Sequence, residues 1–160
     1  MKLSAYLSWV LTCALLAGAG IGARQPFSLS ILRPQGPFRP GSPVELMVTL
    51  TNRSVGEIVI RDRNRWCDYE LEVRDNSGQR PSETIYKREL KCNNKFVVTT
   101  GKNSIRTLKP RESYSDLMIV NQPYDLSRPG KYTIQVSRAI PQELGGGNVE
   151  SNVIGFTVTE

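Results

Sequence analysis

Apolar residues recur at every second position in five separate runs of this chain, and that spacing points to one kind of fold. Phe27, Leu29 and Ile31 alternate with Ser28 and Ser30, and Val44, Leu46, Val48 and Leu50 alternate with Glu45, Met47 and Thr49. Cys67, Tyr69, Leu71 and Val73 alternate with Asp68, Glu70 and Glu72. Tyr132, Ile134 and Val136 follow the same rule, as do Ile154, Phe156 and Val158. A period of two describes an extended strand with one face on a core and the other in water. Half-buried strands of that kind pair antiparallel.

Turn signals separate the runs. Residues 33–43 are rich in proline and glycine, residues 53–56 follow the second strand, and Asp75-Asn76-Ser77-Gly78 follows the third. Pro129-Gly130 precedes the tyrosine strand and Gly145-Gly146-Gly147-Asn148 precedes the last. Weaker strands are expected at residues 57–61, 96–100, 104–108 and 114–120. No stretch carries a helical stripe, so the expectation is an all-β antiparallel sandwich of about 7–9 strands. By parity Cys67 should point inward with Tyr69, Leu71 and Val73.

The amino terminus sets the compartment. Lys2 is followed by a mostly apolar run over residues 3–16, and Ala17-Gly18-Ala19 or Ile21-Gly22-Ala23 offers small residues for cleavage. This is the layout of a secretory signal peptide. The run falls short of the ~20 residues that a membrane helix needs, and Gly18, Gly20 and Gly22 weaken it further. The expectation is a signal over residues 1–23, one domain over residues 24–160, and a secreted or periplasmic location with no membrane span after cleavage. The full chain carries 21 basic and 15 acidic side chains, a net +6; cleavage removes Lys2 alone and leaves +5. The basic residues are scattered among acids, which argues against a nucleic-acid partner.

Cys13 falls in the leader, behind a Thr12 that a lipoprotein signal does not favour. Cys67 and Cys92 remain, an even pair in an exported chain, and are expected to form a disulfide. Two reduced thiols are the plain alternative; a redox-active pair lacks the C-x-x-C spacing that depresses a thiol pKa.

The order of motifs carries a resemblance. Val48-Thr49-Leu50-Thr51-Asn52 leads to Asp68-Tyr69-Glu70-Leu71-Glu72-Val73-Arg74-Asp75, then Leu108-Lys109-Pro110-Arg111-Glu112-Ser113 and Pro129-Gly130-Lys131-Tyr132. This string resembles secreted bacterial immunoglobulin-like modules and, more loosely, is similar to the bacterial intracellular proteinase inhibitor family. The resemblance implies an immunoglobulin-like β-sandwich, in which Tyr132 would be the tyrosine corner that ties its hydroxyl to backbone upstream. An ordinary core tyrosine would be buried in much the same way. The chain departs from the inhibitor pattern in its leader, its cysteine pair and its Gln79-Arg80-Pro81.

The protein contains no histidine. That removes histidine-based nucleophilic triads, histidine-ligated zinc and the commonest neutral-pH base. Two cysteines cannot hold zinc alone. Asp68, Glu70 and Glu72 share a face, but beside Arg74 they read as a solvated surface. Asp62, Asn64 and Asp68 hint at a calcium loop that Arg61, Arg63 and Arg65 would repel. Asn52-Arg53-Ser54 is a formal glycosylation sequon. No catalytic residue, cofactor or metal is therefore expected.

Arg61, Arg63, Arg65 and Trp66 form the candidate contact surface, since arginine and tryptophan dominate interface hot spots. The competing reading is arginines that guard a sheet edge, with Trp66 folded over the core. The functional expectation is an exported non-catalytic binding module whose partner is a protein or a cell-surface polymer. The rival is a proteinase inhibitor presenting a rigid loop, at residues 33–43 or 80–94.

Overall fold

A computed structural model describes residues 25–32, 34–62, 64–90, 92 and 104–160. The expected leader, Arg63 and the expected strand at residues 96–100 lie outside the described residues. The fold is mostly strand, and the described strands all pair antiparallel, with one isolated parallel bridge from Phe38 to Val158.

Alternation places the strands. β1 (Phe27–Leu32), β2 (Glu45–Asn52), β3 (Ile58–Asp62) and β4 (Glu70–Asp75) are followed by β5 (Ser104–Leu108) and β6 (Ser113–Ile119). β7 (Gly130–Ala139), β8 (Asn148–Glu150) and β9 (Ile154–Val158) complete the set. One sheet runs β1-β2-β6, a ribbon joins β3 to β5, and a third sheet has β7 at its centre, with β4 on one side and β8 and β9 on the other. Leu46, Val48 and Leu50 of β2 and Ile134 and Val136 of β7 are fully buried. They meet Ile58, Ile60 and Leu108 of the ribbon in one apolar cluster. Each such aliphatic side chain contributes about 1.5–3 kcal/mol through removal from water.

Cys67 departs from the expected phase. The third alternating run does not begin as strand, because the Asn64 side chain accepts from Trp66 N at 3.0 Å and caps a short helix, α1 (Arg65–Asp68). A side-chain oxygen at that position satisfies a free helical N–H, so Asn64 itself stays extended while the residues after it turn into helix. Strand pairing starts only at Glu70. Tyr69, Leu71 and Val73 still face inward, but Cys67 is half-buried on α1. A second short helix, α2 (Ile85–Glu89), was also not expected; Thr84 caps it by accepting from Lys87 N at 3.3 Å.

Two serine and asparagine side chains replace missing ladder bonds. Between β8 and β9 the strand bulges, and Val136 N donates to the Ser151 hydroxyl at 2.9 Å instead of to a carbonyl. The next residue, Asn152, reaches across to β1, where its amide accepts from Ile31 N and donates to Ile31 O. At the turn after β2, Asn52 is fully buried. Its amide donates to Gly56 O at 2.8 Å and Leu108 O at 2.9 Å, and its oxygen accepts from Ser54 N at 2.8 Å. The sequon asparagine is thus a core residue whose donors and acceptor are engaged.

Candidate interaction surface

Four side chains or single residues close the sheet edges. Asn152 occupies the outer groups of Ile31 on β1, and the Arg65 guanidinium donates to Leu117 O on β6. Tyr124 donates its hydroxyl to Leu71 O on β4 at 2.9 Å. The backbone of Phe38 pairs with β9, donating to Thr157 O at 3.2 Å and accepting from Thr159 N at 2.7 Å. An edge whose polar groups are already engaged is a poor template for a partner strand. Recognition by strand addition therefore has little to work with at these points, and attention moves to the faces and loops.

The described members of the expected contact surface, Arg61, Arg65 and Trp66, are not set in a row. Arg61 is exposed on β3, and its carbonyl accepts from Arg138 Nη2 at 3.4 Å. Arg63 lies outside the described residues. Arg65, on α1, extends along the β6 edge, while Trp66 turns into the core with only 9% of its surface exposed. The alternation of arginines is broken at Asn64, where α1 begins, so neighbours in sequence leave in different directions.

What α1 does assemble is an aromatic platform. The Trp66 ring meets Tyr86 of α2 edge-on, with centroids 6.2 Å apart. A disulfide joins Cys67 of α1 to Cys92 beyond α2, with Cα atoms 5.3 Å apart. The other end of α2 is held by main chain: Thr84 N donates to Pro123 O at 3.0 Å and Asp125 N to Ser82 O at 2.8 Å. Held at both ends, α2 presents Ile85, 64% exposed, and Tyr86, 43% exposed. Exposed Arg65 and Arg88 flank them. Partial burial raises the Tyr86 hydroxyl above the ordinary tyrosine pKa, with the nearby Arg65 charge pulling the other way. The ring stays neutral at physiological pH and can both pack and hydrogen-bond.

No protein-family model and no curated protein matches this chain. The surface has to be interpreted from its own chemistry.

Sequence reasoning missed Ile85 and Tyr86. Helix α2 is too short to show a helical period, and the one local signal is Thr84, a capping residue ahead of a five-residue segment. The remaining candidates are placed as follows. Tyr132 is buried and donates its hydroxyl to Arg128 O at 2.7 Å, four residues upstream. Burial, together with the negative charges of Asp75 and Asp125, raises its pKa. Glu72 pairs with Arg74, and Arg80 lies 3.8 Å away. Asp68 sits on α1, whereas Glu70 and Glu72 sit on β4, so the acidic trio does not form one strand face. Asn64 is used as a cap. The proline-rich loop is pinned at its middle, where Phe38 is buried and packs edge-on to Phe156 at 6.0 Å.

Proposed function

We propose that this protein is an exported, non-catalytic binding module of immunoglobulin-like fold, and that it contacts a protein or cell-surface polymer through the α1–α2 face. The single observation that carries the reading is the pair Ile85 and Tyr86. Two large apolar side chains are kept in water on a segment fixed by the Trp66 ring and the Cys67–Cys92 bridge. A rigid aromatic beside arginine supplies contact area at low entropic cost, which is the composition of a hot spot.

The immunoglobulin-like reading draws support from pairing order. β1-β2-β6 matches the A-B-E order and β4-β7-β9 the C-F-G order of such sandwiches. Tyr132 stands at the start of the F-equivalent strand with the hydrogen bond a tyrosine corner makes. The disulfide differs from that of antibody domains, since it braces a surface segment instead of joining B to F. Export is supported by the bridge, and no helix among the described residues is long and apolar enough to cross a membrane.

The test is crosslinking in the compartment where the protein resides, with the wild-type chain and an Ile85→Glu/Tyr86→Ser variant side by side. A species captured by the first and lost with the second, at unchanged thermal stability, supports the reading. Equal capture by both overturns the assignment of the face. The proteinase-inhibitor alternative has weaker support: the middle of one candidate loop is buried at Phe38, and residues 85–89 of the other are helical and not extended. A panel of proteinases incubated with the protein decides it directly.

A further inference from the structure

The water-facing side of the β1-β2-β6 sheet is divided into two halves of different chemistry. Toward one end, hydroxyls pair across the strands: Thr49 with Ser115 and Thr51 with Ser113, each at 2.9 Å. Arg53 Nε donates to Ser28 Oγ at 2.8 Å on the same face. Toward the other end the register sets Leu32 opposite Met47 and Met47 opposite Leu117, an apolar row across all three strands. Leu32 is 67% and Leu117 41% exposed. Ile119, two residues beyond Leu117 and paired with Glu45, extends the patch. Pro34 and Pro43 wall an open hollow of about 330 Å³ beside it.

Two charges border this patch. Glu45 is exposed two residues from Met47 on the same face of β2. On the far side, Arg65 is anchored on the carbonyl of Leu117. The apolar residues Leu117 and Ile119 of β6 therefore have an acid on the β2 side and a base on the outer edge. Such a surface is complementary to itself. A two-fold axis lying over Leu117 and Ile119 brings Glu45 of each copy against Arg65 of the other, so one apolar contact is flanked by two identical ion pairs.

We infer that the occupant of this face is a second copy of the same chain, docked through an isologous interface centred on Leu117 and Ile119. The hydroxyl half of the sheet is satisfied within the monomer and stays in water; the apolar half is what association covers. The opposed charges set the register and exclude other rotations of one copy on the other. Arg65 borders both this face and the Ile85–Tyr86 face, so Leu117→Glu tests this inference alone and Ile85→Glu/Tyr86→Ser the other.

Sedimentation velocity on the exported, purified chain across the micromolar range tests the inference. The wild type shifts from monomer to dimer with concentration. Leu117→Glu stays monomeric throughout, and Leu32→Ser, a milder change, weakens the dimer in the same direction should the first variant fold poorly. Glu45→Arg and Arg65→Glu each raise the dissociation constant by roughly tenfold, and the double reversal returns it to near the wild-type value. Ile85→Glu/Tyr86→Ser leaves association intact. A wild type that is monomeric at every concentration overturns the inference. So does association that survives Leu117→Glu, or a double reversal no better than either single change.

Discussion

The side-chain amide of Asn152 holds the main chain of Ile31 as a neighbouring strand would, accepting from its N–H at 2.9 Å and donating to its carbonyl at 3.1 Å. One asparagine thereby joins the β1 edge to the sheet centred on β7, where no strand pairing among the described residues connects them. The arrangement depends on the Ser151 bulge, which turns the chain out of the β7 ladder at that residue.

Replacing Asn152 with leucine should therefore cost about 1–3 kcal/mol, since a part-buried donor and acceptor lose their partners together. It should also open an edge to intermolecular pairing. Urea denaturation measures the first effect, and light scattering at fixed concentration the second. Unchanged stability would show that water replaces the amide without loss.

Asn52→Ala removes the partner of the Leu108 carbonyl at a buried site and of the part-buried Ser54 N–H, while Gly56 O keeps the Ser54 hydroxyl at 2.8 Å. The expected loss is about 3 kcal/mol, read from the denaturation midpoint at constant m-value. Asn52→Asp should not rescue it, because an ionised carboxylate can accept from Ser54 but cannot donate to either carbonyl.

The Cys67–Cys92 bridge closes 25 residues of chain. In the chain-entropy description this is worth about 3.5 kcal/mol, and Cys67→Ser/Cys92→Ser should lose a comparable amount. The purified wild type, denatured without reductant, should show no thiol to an alkylating reagent by mass spectrometry. The double variant should also alter Trp66 fluorescence, because Tyr86 is then held from one end only.

Asp75 supplies the acid dependence. Its carboxylate accepts from Ser77 Oγ at 2.6 Å, from Gln79 N at 2.9 Å and from Ser77 N at 2.9 Å. These bonds hold its pKa below the ordinary aspartate value, the Ser77 hydroxyl first among them. Asp125 is lowered in the same way, chiefly by Ser127. A depressed folded-state pKa means stability that is complete above the unfolded value, near ~3.9 for aspartate, and lost as pH falls through the folded value. Thermal melts at decreasing pH should show this decline. Asp75→Asn, whose amide oxygen still accepts, should flatten it.

Alternation was sufficient to place the inward faces of β1, β2, β7 and most of β4. Burial of every second residue is a local property, and a strand with one wet face has no other way to satisfy it. Cys67 escaped that logic because Asn64 offers a side-chain cap that competes with strand backbone, and only the surrounding packing selects the winner. Ile85 and Tyr86 had only the capping residue Thr84 as a local signal. Their importance comes from Trp66 beneath them and from the bridge to Cys92, both of which join segments distant in sequence.

By itself, then, the order of residues determined the secondary structure class and the core faces. The sites of Asn52 and Asn152 look like ordinary surface asparagines in sequence, and the tertiary structure alone makes one a buried hub and the other a strand substitute. The same holds for the apolar row of Leu32, Met47 and Leu117. Register across three strands creates it, and register is fixed by long-range pairing that no local pattern encodes.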